Sequence, residues 1–345
     1  MALTLTRVPR VTCAADRGRM PVRPYPFRVV IRNPAFGFAL VITGATLFIV
    51  NAGVSRVALR AGVDPVSLTT VRVTGTFVLL LLVAALFRRD ALRPPTGRLG
   101  LLILAHGLVG VAALQWTYFV AIDRLPVGMA LLLEYQAPIL VALWARFVQK
   151  EPVRHRMWVG LALATLGLAA ATGIWKGPVF DSLGILAGIG AAVCFAAYFL
   201  IGEHGVGALD PLRMILWAFL VASVALNLIS PITSLPTDVL SSQASLLGIL
   251  AEYDVPVWAL LTWITVLGTV VPFAVELFAL RHLRATTVTM IAMLEPVGVS
   301  ALGWVWFFER LDAVAVAGGV AVVTGIILAQ SARRTHVLIE PPHLG

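Results

Sequence analysis

Four ionisable side chains lie inside apolar runs, where a soluble protein would not put them. Glu134 sits in PVGMALLLEYQAPILVALWARFVQKE, residues 126–151, and Glu295 in RATTVTMIAMLEPVGVSALGWVWFFE, residues 284–309. Glu276 and Arg72 occupy two further runs. A charge at depth in a bilayer costs on the order of 2.5–3.5 kcal/mol, so such residues mark substrate or ion sites by default. Proline accompanies each acid. Pro138 lacks the amide that would bond the carbonyl of residue 134, which leaves a carbonyl and a carboxylate at one level, about 12 Å from the end of the span. That pairing suits an ammonium group or a proton. Glu295 precedes Pro296 directly, and the two glutamates could act together. Glu276 follows Pro272 by four residues, so both face one side of a helix with Gly268 above them. Its place near the end of its span also suits a gate or a snorkelling acid. Arg72 can ion-pair with Glu134 or Glu295, or bind a substrate carboxylate. Asn51, His106, Gln115, Trp116, Tyr118, Gln136 and Tyr198 are candidates for a cavity wall; each also suits a helix–helix hydrogen bond or an interface anchor.

The elements that must position these groups are membrane spans. The chain has 345 residues, of which 59% are hydrophobic and only 12% charged. Its mean hydropathy is +0.94. Soluble domains carry about twice that charged fraction. Apolar runs of spanning length recur at roughly 35–55, 65–87, 99–121, 126–147, 157–175, 182–202, 211–230, 257–280, 285–308 and 312–331. Asp64-Pro65, Pro94-Pro95, Gly177-Pro178 and Asp210-Pro211 separate them. The stretch VLSSQASLLGILAEY in the longest loop reads as a short interfacial helix.

The net charge of +9 does not indicate a nucleic-acid partner, because the basic residues lie in short loops and tails. With Arg72 set aside, 20 Lys and Arg residues fall in the tails and even-numbered loops. Only Arg56, Arg60, Arg124, Lys176 and Arg310 fall in the other set. That asymmetry predicts cytoplasmic termini and even-numbered loops. Arginine outnumbers lysine and alanine is abundant, which suits a GC-rich bacterial genome and hence the bacterial inner membrane. Residues 1–34 read as a basic cytoplasmic tail without the apolar segment of a cleaved signal peptide, and Met20 is an alternative start. Cys13 and Cys194 are badly placed to pair, and no zinc spacing exists.

The two glutamate-bearing runs are also copies of each other. An offset of 158 carries Pro138 to Pro296, Glu151 to Glu309, Gly110 to Gly268, Ala121 to Ala279, Leu125 to Leu283, Gly160 to Gly318 and Gly167 to Gly325, without a gap. Such a duplication divides the chain into five-span halves, 35–175 and 176–332, before a short cytoplasmic tail, 333–345. Five is odd, so the second half must enter the membrane inverted. The expected fold is an all-α polytopic membrane protein of ten transmembrane helices in a 5+5 inverted repeat. Secondary transporters use this architecture with a site near the midplane. The glycines of the fifth and tenth spans suit close packing, between the halves or between protomers of a homodimer.

AIDRLPVGMALLLEYQAPILVAL and LGTVVPFAVELFALRHLRATTVTMIAMLEPVGVSALGWVWFFERL each resemble the EamA repeat of the drug/metabolite transporter superfamily. The LEYQAP, VPFAVEL and MLEPV pieces look most like its threonine/homoserine exporter branch. The resemblance covers nearly all of the chain after residue 34. It implies the ten-helix fold and export of small metabolites, often amino acids, without fixing the substrate. The expected function is therefore export of a small metabolite by alternating access. The expected partners are that substrate, the bilayer and protons. No cofactor or metal is expected. Rival readings are a passive facilitator and a membrane-embedded enzyme acting on lipid. A Walker A loop, an HExxH motif and an acid-rich cytoplasmic loop are all missing, which argues against ATP-driven transport and against the enzyme.

Overall fold

The computed structural model describes residues 33–125, 127–172, 181–235 and 237–331. The basic tail with Cys13 and Met20, the Lys176-Gly177-Pro178 breaker and the tail after Ser331 lie outside the described residues. The rest is a polytopic all-α membrane protein. Its first helices are α1 (Pro34–Arg60), α2 (Pro65–Phe87), α3 (Gly97–Ala105) and α4 (Leu114–Arg124). A π-helical segment, His106–Ala113, joins α3 to α4. Next come α5 (Val127–Glu134), α6 (Ala137–Phe147), α7 (His155–Thr172), α8 (Ser182–Ala208) and α9 (Pro211–Ile229). After a short loop helix, α10 (Thr237–Ser241), come α11 (Val257–Thr265) and α12 (Val271–Ala279), joined by a second π segment, Val266–Val270. The last are α13 (Ala285–Ala292), α14 (Leu294–Phe307) and α15 (Ala313–Ser331).

Three of these helices start where an Asn or Asp precedes a proline. Asn33, Asp64 and Asp210 accept hydrogen bonds from the amides of Phe36, Ser67 and Leu212. A side-chain cap followed by proline at the first helical position fixes a start sharply. Nine helices among the described residues are long and apolar enough to cross a membrane. The expected fifth span corresponds to α7, whose start at His155 and Arg156 dilutes its hydropathy.

Hydrogen bonds and ion pairs sort the loops into two faces. Asp210 lies 3.7 Å from Arg88 and 3.5 Å from Arg281. Arg213 donates to the carbonyl of Arg93, the amide of Asn33 meets His282, and Arg284 pairs with Glu151. The start of α1 and the loops near residues 90, 150, 210 and 282 therefore share one face. The opposite face carries the Arg56–Glu309 and Arg124–Asp181 pairs.

The two copies repeat their irregularities as well as their helices. Both π segments fall at the 158 offset, around Gly110 and Gly268. Both glutamate-bearing spans are broken, at Tyr135-Gln136 and at Met293. α7 and α15 pack backbone to backbone. A Cβ on Gly160 would lie 2.5 Å from the Gly325 carbonyl oxygen, and one on Gly167 would lie 2.7 Å from that of Gly318. Ascending positions on α7 meet descending positions on α15, so these two equivalent helices run antiparallel. Their glycine faces are consumed within the chain, between the copies, and are not a protomer interface.

The expected interfacial helix is not formed. Residues 243–245 (β1) and 254–256 (β2) pair as an antiparallel hairpin in the register Gln243↔Pro256, Ala244↔Val255 and Ser245↔Asp254. The Leu246 carbonyl accepts from the Trp306 indole at 3.2 Å, and a Cβ on Gly248 would strike the Trp306 backbone. Strand pairing and this anchor satisfy backbone groups that a lone amphipathic turn would leave to water.

Gly160→Val and Gly325→Val should each lower unfolding stability by about 1–3 kcal/mol through overpacking. Gly207→Ala, on α8 with open space around it, should leave stability unchanged or raise it. Thermal unfolding in detergent checks the contrast.

Candidate functional site

The site is built on the two breaks. α5 stops at Glu134 because Pro138 cannot supply the next bond in the ladder. The freed backbone is partly repaired locally. Gln136 donates its side-chain amide to the Leu132 carbonyl at 2.7 Å, and Thr165 donates to the other end of that amide at 3.4 Å. Gln136 was a cavity-wall candidate; both ends of its amide instead support the break. In the second copy the break at Met293 sets Glu295 and Pro296 in the first turn of α14.

The breaks meet in space. Tyr135 is buried in a cluster with Ala292 and Met293, edge-on to Phe195. Its hydroxyl donates to Glu295 Oε2 at 2.8 Å, a bond that ties the break of one copy to the acid of the other. Tyr135 is the residue of this candidate site that sequence reasoning missed. The only signal for it was its place beside Glu134, three residues before a proline.

Around this bond the expected ionisable residues converge. Glu295 lies within electrostatic reach of Glu276 and Glu134, and Tyr135 within reach of Glu134 and Tyr118. Arg72 lies within reach of Tyr118 and Glu134. Arg72 is seven residues into α2 and Glu134 seven into α5, and both helices start from the same face, so both side chains root about 10 Å deep. Both retain accessible surface. The expected ion pair of Arg72 is not formed: it makes no contact to a carboxylate within 4.0 Å among the described residues. Its Nε is buried without a hydrogen-bond partner, as is Glu295 Oε1. Unmet donors and acceptors of this kind are costly unless a water, an ion or a ligand meets them.

Glu276 does not snorkel. It is 2% exposed despite its place near the end of α12, because α1 covers it: a Cβ on Gly44 would touch its Cγ at 3.3 Å. Tyr198 lies within electrostatic reach of Glu276, is itself buried, and stacks on His106 with ring centres 4.9 Å apart. His106 is packed between Gly110 and Gly202, so it fills a helix interface rather than a cavity wall. Asn51 is buried against Gly268 of the second π segment, where any side chain would collide with its amide oxygen. Gln115 is buried on α4. Trp116 is 41% exposed, apart from the buried cluster. Thr76, one turn beyond Arg72 on the same face of α2, has a buried hydroxyl without a partner.

No group of three or more His, Cys, Asp or Glu side chains is arranged to hold a metal ion among the described residues. An apolar groove of about 650 Å³ between α3, α6 and α8, lined by Leu102, Leu140, Phe147 and Leu200 among others, contains none of the site residues. The central arrangement thus sets buried carboxylates and one guanidinium within electrostatic reach of one another, with Glu134 the acid that acts on Arg72.

Comparison with known proteins bears on family and fold. The chain is 27% identical over 225 residues to the threonine/homoserine exporter of Salmonella typhimurium, a match spanning 64% of this chain and 68% of the relative. The Escherichia coli K12 protein of the same name is 27% identical over 210 residues, 61% of this chain and 64% of the relative. An uncharacterized transporter of Archaeoglobus fulgidus is 25% identical over 87% of this chain and 98% of its own length. A solved crystal structure at 18% identity superposes with a TM-score of 0.69 over 86% of this chain and 97% of that one, which shows a shared fold. The sequence profile of the EamA-like transporter family matches twice, at residues 35–173 and 182–330. The duplicated, membrane-spanning chain therefore belongs to the EamA-like transporter family.

Proposed function

We propose that this protein is a secondary transporter of the bacterial inner membrane that exports a small zwitterionic metabolite, such as an amino acid, by alternating access. One observation carries the reading: Arg72, Glu134 and Glu295 converge where two spans break, with Arg72 Nε and Glu295 Oε1 unpaired. With Glu276 the set holds three acids and one arginine, a surplus of carboxyl groups. An ammonium group or a proton neutralises that surplus, while Arg72 is free to take a carboxylate. A zwitterion meets both needs at once. Protons are the natural coupling ion for a site with carboxylates to spare. The names of the Salmonella and Escherichia relatives support the amino-acid class.

The mechanism rests on ten spans in two inverted halves. The antiparallel course of α7 and α15 supports the inversion, and the sorting of the loops into two faces supports it further. The face with Asn33, Arg88 and Arg284 is cytoplasmic in this reading, because the basic residues concentrate there. Exchanging the conformations of the two halves then exchanges which face the site opens to. No step calls for bond chemistry, so the chain acts as a carrier and not as an enzyme.

Glu134→Gln, Glu295→Gln and Arg72→Gln should each lower efflux of labelled amino acids from vesicles at least tenfold. That is the scale of losing a charge-assisted hydrogen bond of about 1.5–3 kcal/mol. Trp116→Phe should change the rate less than twofold. Unchanged efflux in both glutamine variants of the acids would remove the site. The same vesicles should show saturable flux and stimulation by unlabelled substrate on the far side. Flux that never saturates would mean a passive facilitator instead.

A further inference from the structure

The span formed by α13 and α14 is tied to the first copy at three levels. Arg284, just before α13, pairs with Glu151, which follows α6. Glu295, midway, accepts from Tyr135. Glu309, just after α14, pairs with Arg56 of α1, whose guanidinium also lies 4.4 Å above the Phe307 ring. The two ion pairs stand at the ends of a 23-residue span, about 35 Å apart, hence on opposite faces of the membrane.

The two glutamates are presented by the same device. Lys150 and Phe308, equivalent at the 158 offset, both adopt a left-handed backbone with φ 56°. Neither is glycine, so both conformations are strained. The residue after each is the glutamate, and its amide reaches back six residues: Glu151 to the Ala145 carbonyl at 2.9 Å, Glu309 to that of Gly303 at 3.1 Å. Ala145 and Gly303 are again equivalent positions. The Glu309 carboxylate lies over Gly303, where a side chain would displace it. One strained cap, made twice, thus aims an acid at an arginine of the opposite copy on each face.

We propose that Glu151–Arg284 and Glu309–Arg56 are alternating latches. The broken span α13–α14 tilts about the Tyr135–Glu295 contact, releasing one latch while the other holds. This rests on the alternating-access reading above and names the groups that set its balance. The strength is suitable. The four side chains are 34–52% exposed, so each pair biases a two-state balance by no more than about fivefold. A latch of that size opens thermally yet still favours one state. On the Arg284 face, Glu203 adds a second hold by accepting from the amide of Ala285 at 3.2 Å.

The test uses the full chain with Cys13→Ser, Cys194→Ser and a reporter, Thr76→Cys, beside Arg72. A membrane-impermeant maleimide is applied to vesicles of each orientation. Glu151→Gln should speed labelling about two- to fivefold from the Arg284 face and slow it from the other. Arg56→Gln should do the reverse. The exchanged pair Glu151→Arg with Arg284→Glu should restore the reference rates, which separates a latch from mere loss of folding. Single substitutions that alter labelling equally from both faces, or not at all, overturn the proposal, as does an exchanged pair that restores nothing. Asymmetric labelling without amino-acid flux would sink the substrate reading and leave the latches standing. Normal flux with symmetric labelling would do the opposite.

Discussion

Hydrocarbon tolerates neither a bare charge nor an unbonded peptide group, and the rest of this structure follows from how the chain manages both. Pro138 and Pro296 interrupt two spans, and each interruption is buried against the other rather than exposed to lipid. Gln136 and Thr165 repair one of them with side-chain bonds. The same interruptions carry Glu134 and Glu295 to depth, where Tyr135 joins them. Only part of this polar set is satisfied internally. The unmet capacity includes Arg72 Nε and Glu295 Oε1.

The duplication supplies a symmetric frame, and the substitutions within it make an asymmetric site. π segments, breaks, glycine faces and left-handed caps recur at one offset. The acids do not. Glu134 corresponds to Ala292, and Glu295 to Ala137. A zwitterion has two different ends, so a strictly symmetric pocket would suit it poorly. Tight glycine packing joins the copies along α7 and α15, whereas exposed ion pairs link the ends of α13–α14 to the first copy.

Much of the fold was legible in the sequence. Long apolar runs mark the spans, and Pro138 and Pro296 mark the breaks because proline acts locally. The duplication was readable because glycine, proline and glutamate fall in step. What depends on contacts between helices was not readable. Tyr135 looks like any packing aromatic until Met293 and Glu295 are set beside it. Glu276 reads as an acid near a span end, and only the approach of α1 over Gly44 shows that it is buried. Arg72 and Glu134 share a depth, which the sequence implies, but their separation depends on the lateral spacing of α2 and α5. The hairpin at residues 243–256 was missed because strands of three residues carry almost no periodic signal.

The central claim is that one ligand must satisfy an arginine and a set of carboxylates together. Its most direct test is calorimetric titration of the purified full chain with the common L-amino acids and homoserine. The tightest binder is then compared with two relatives of itself, one with the carboxylate capped as an amide and one lacking the amino group. The account predicts saturable binding of the parent compound and at least tenfold weaker binding of both relatives, since each leaves one buried charge unmatched. Equal affinity for either relative, or no saturable binding across the whole set, would contradict it.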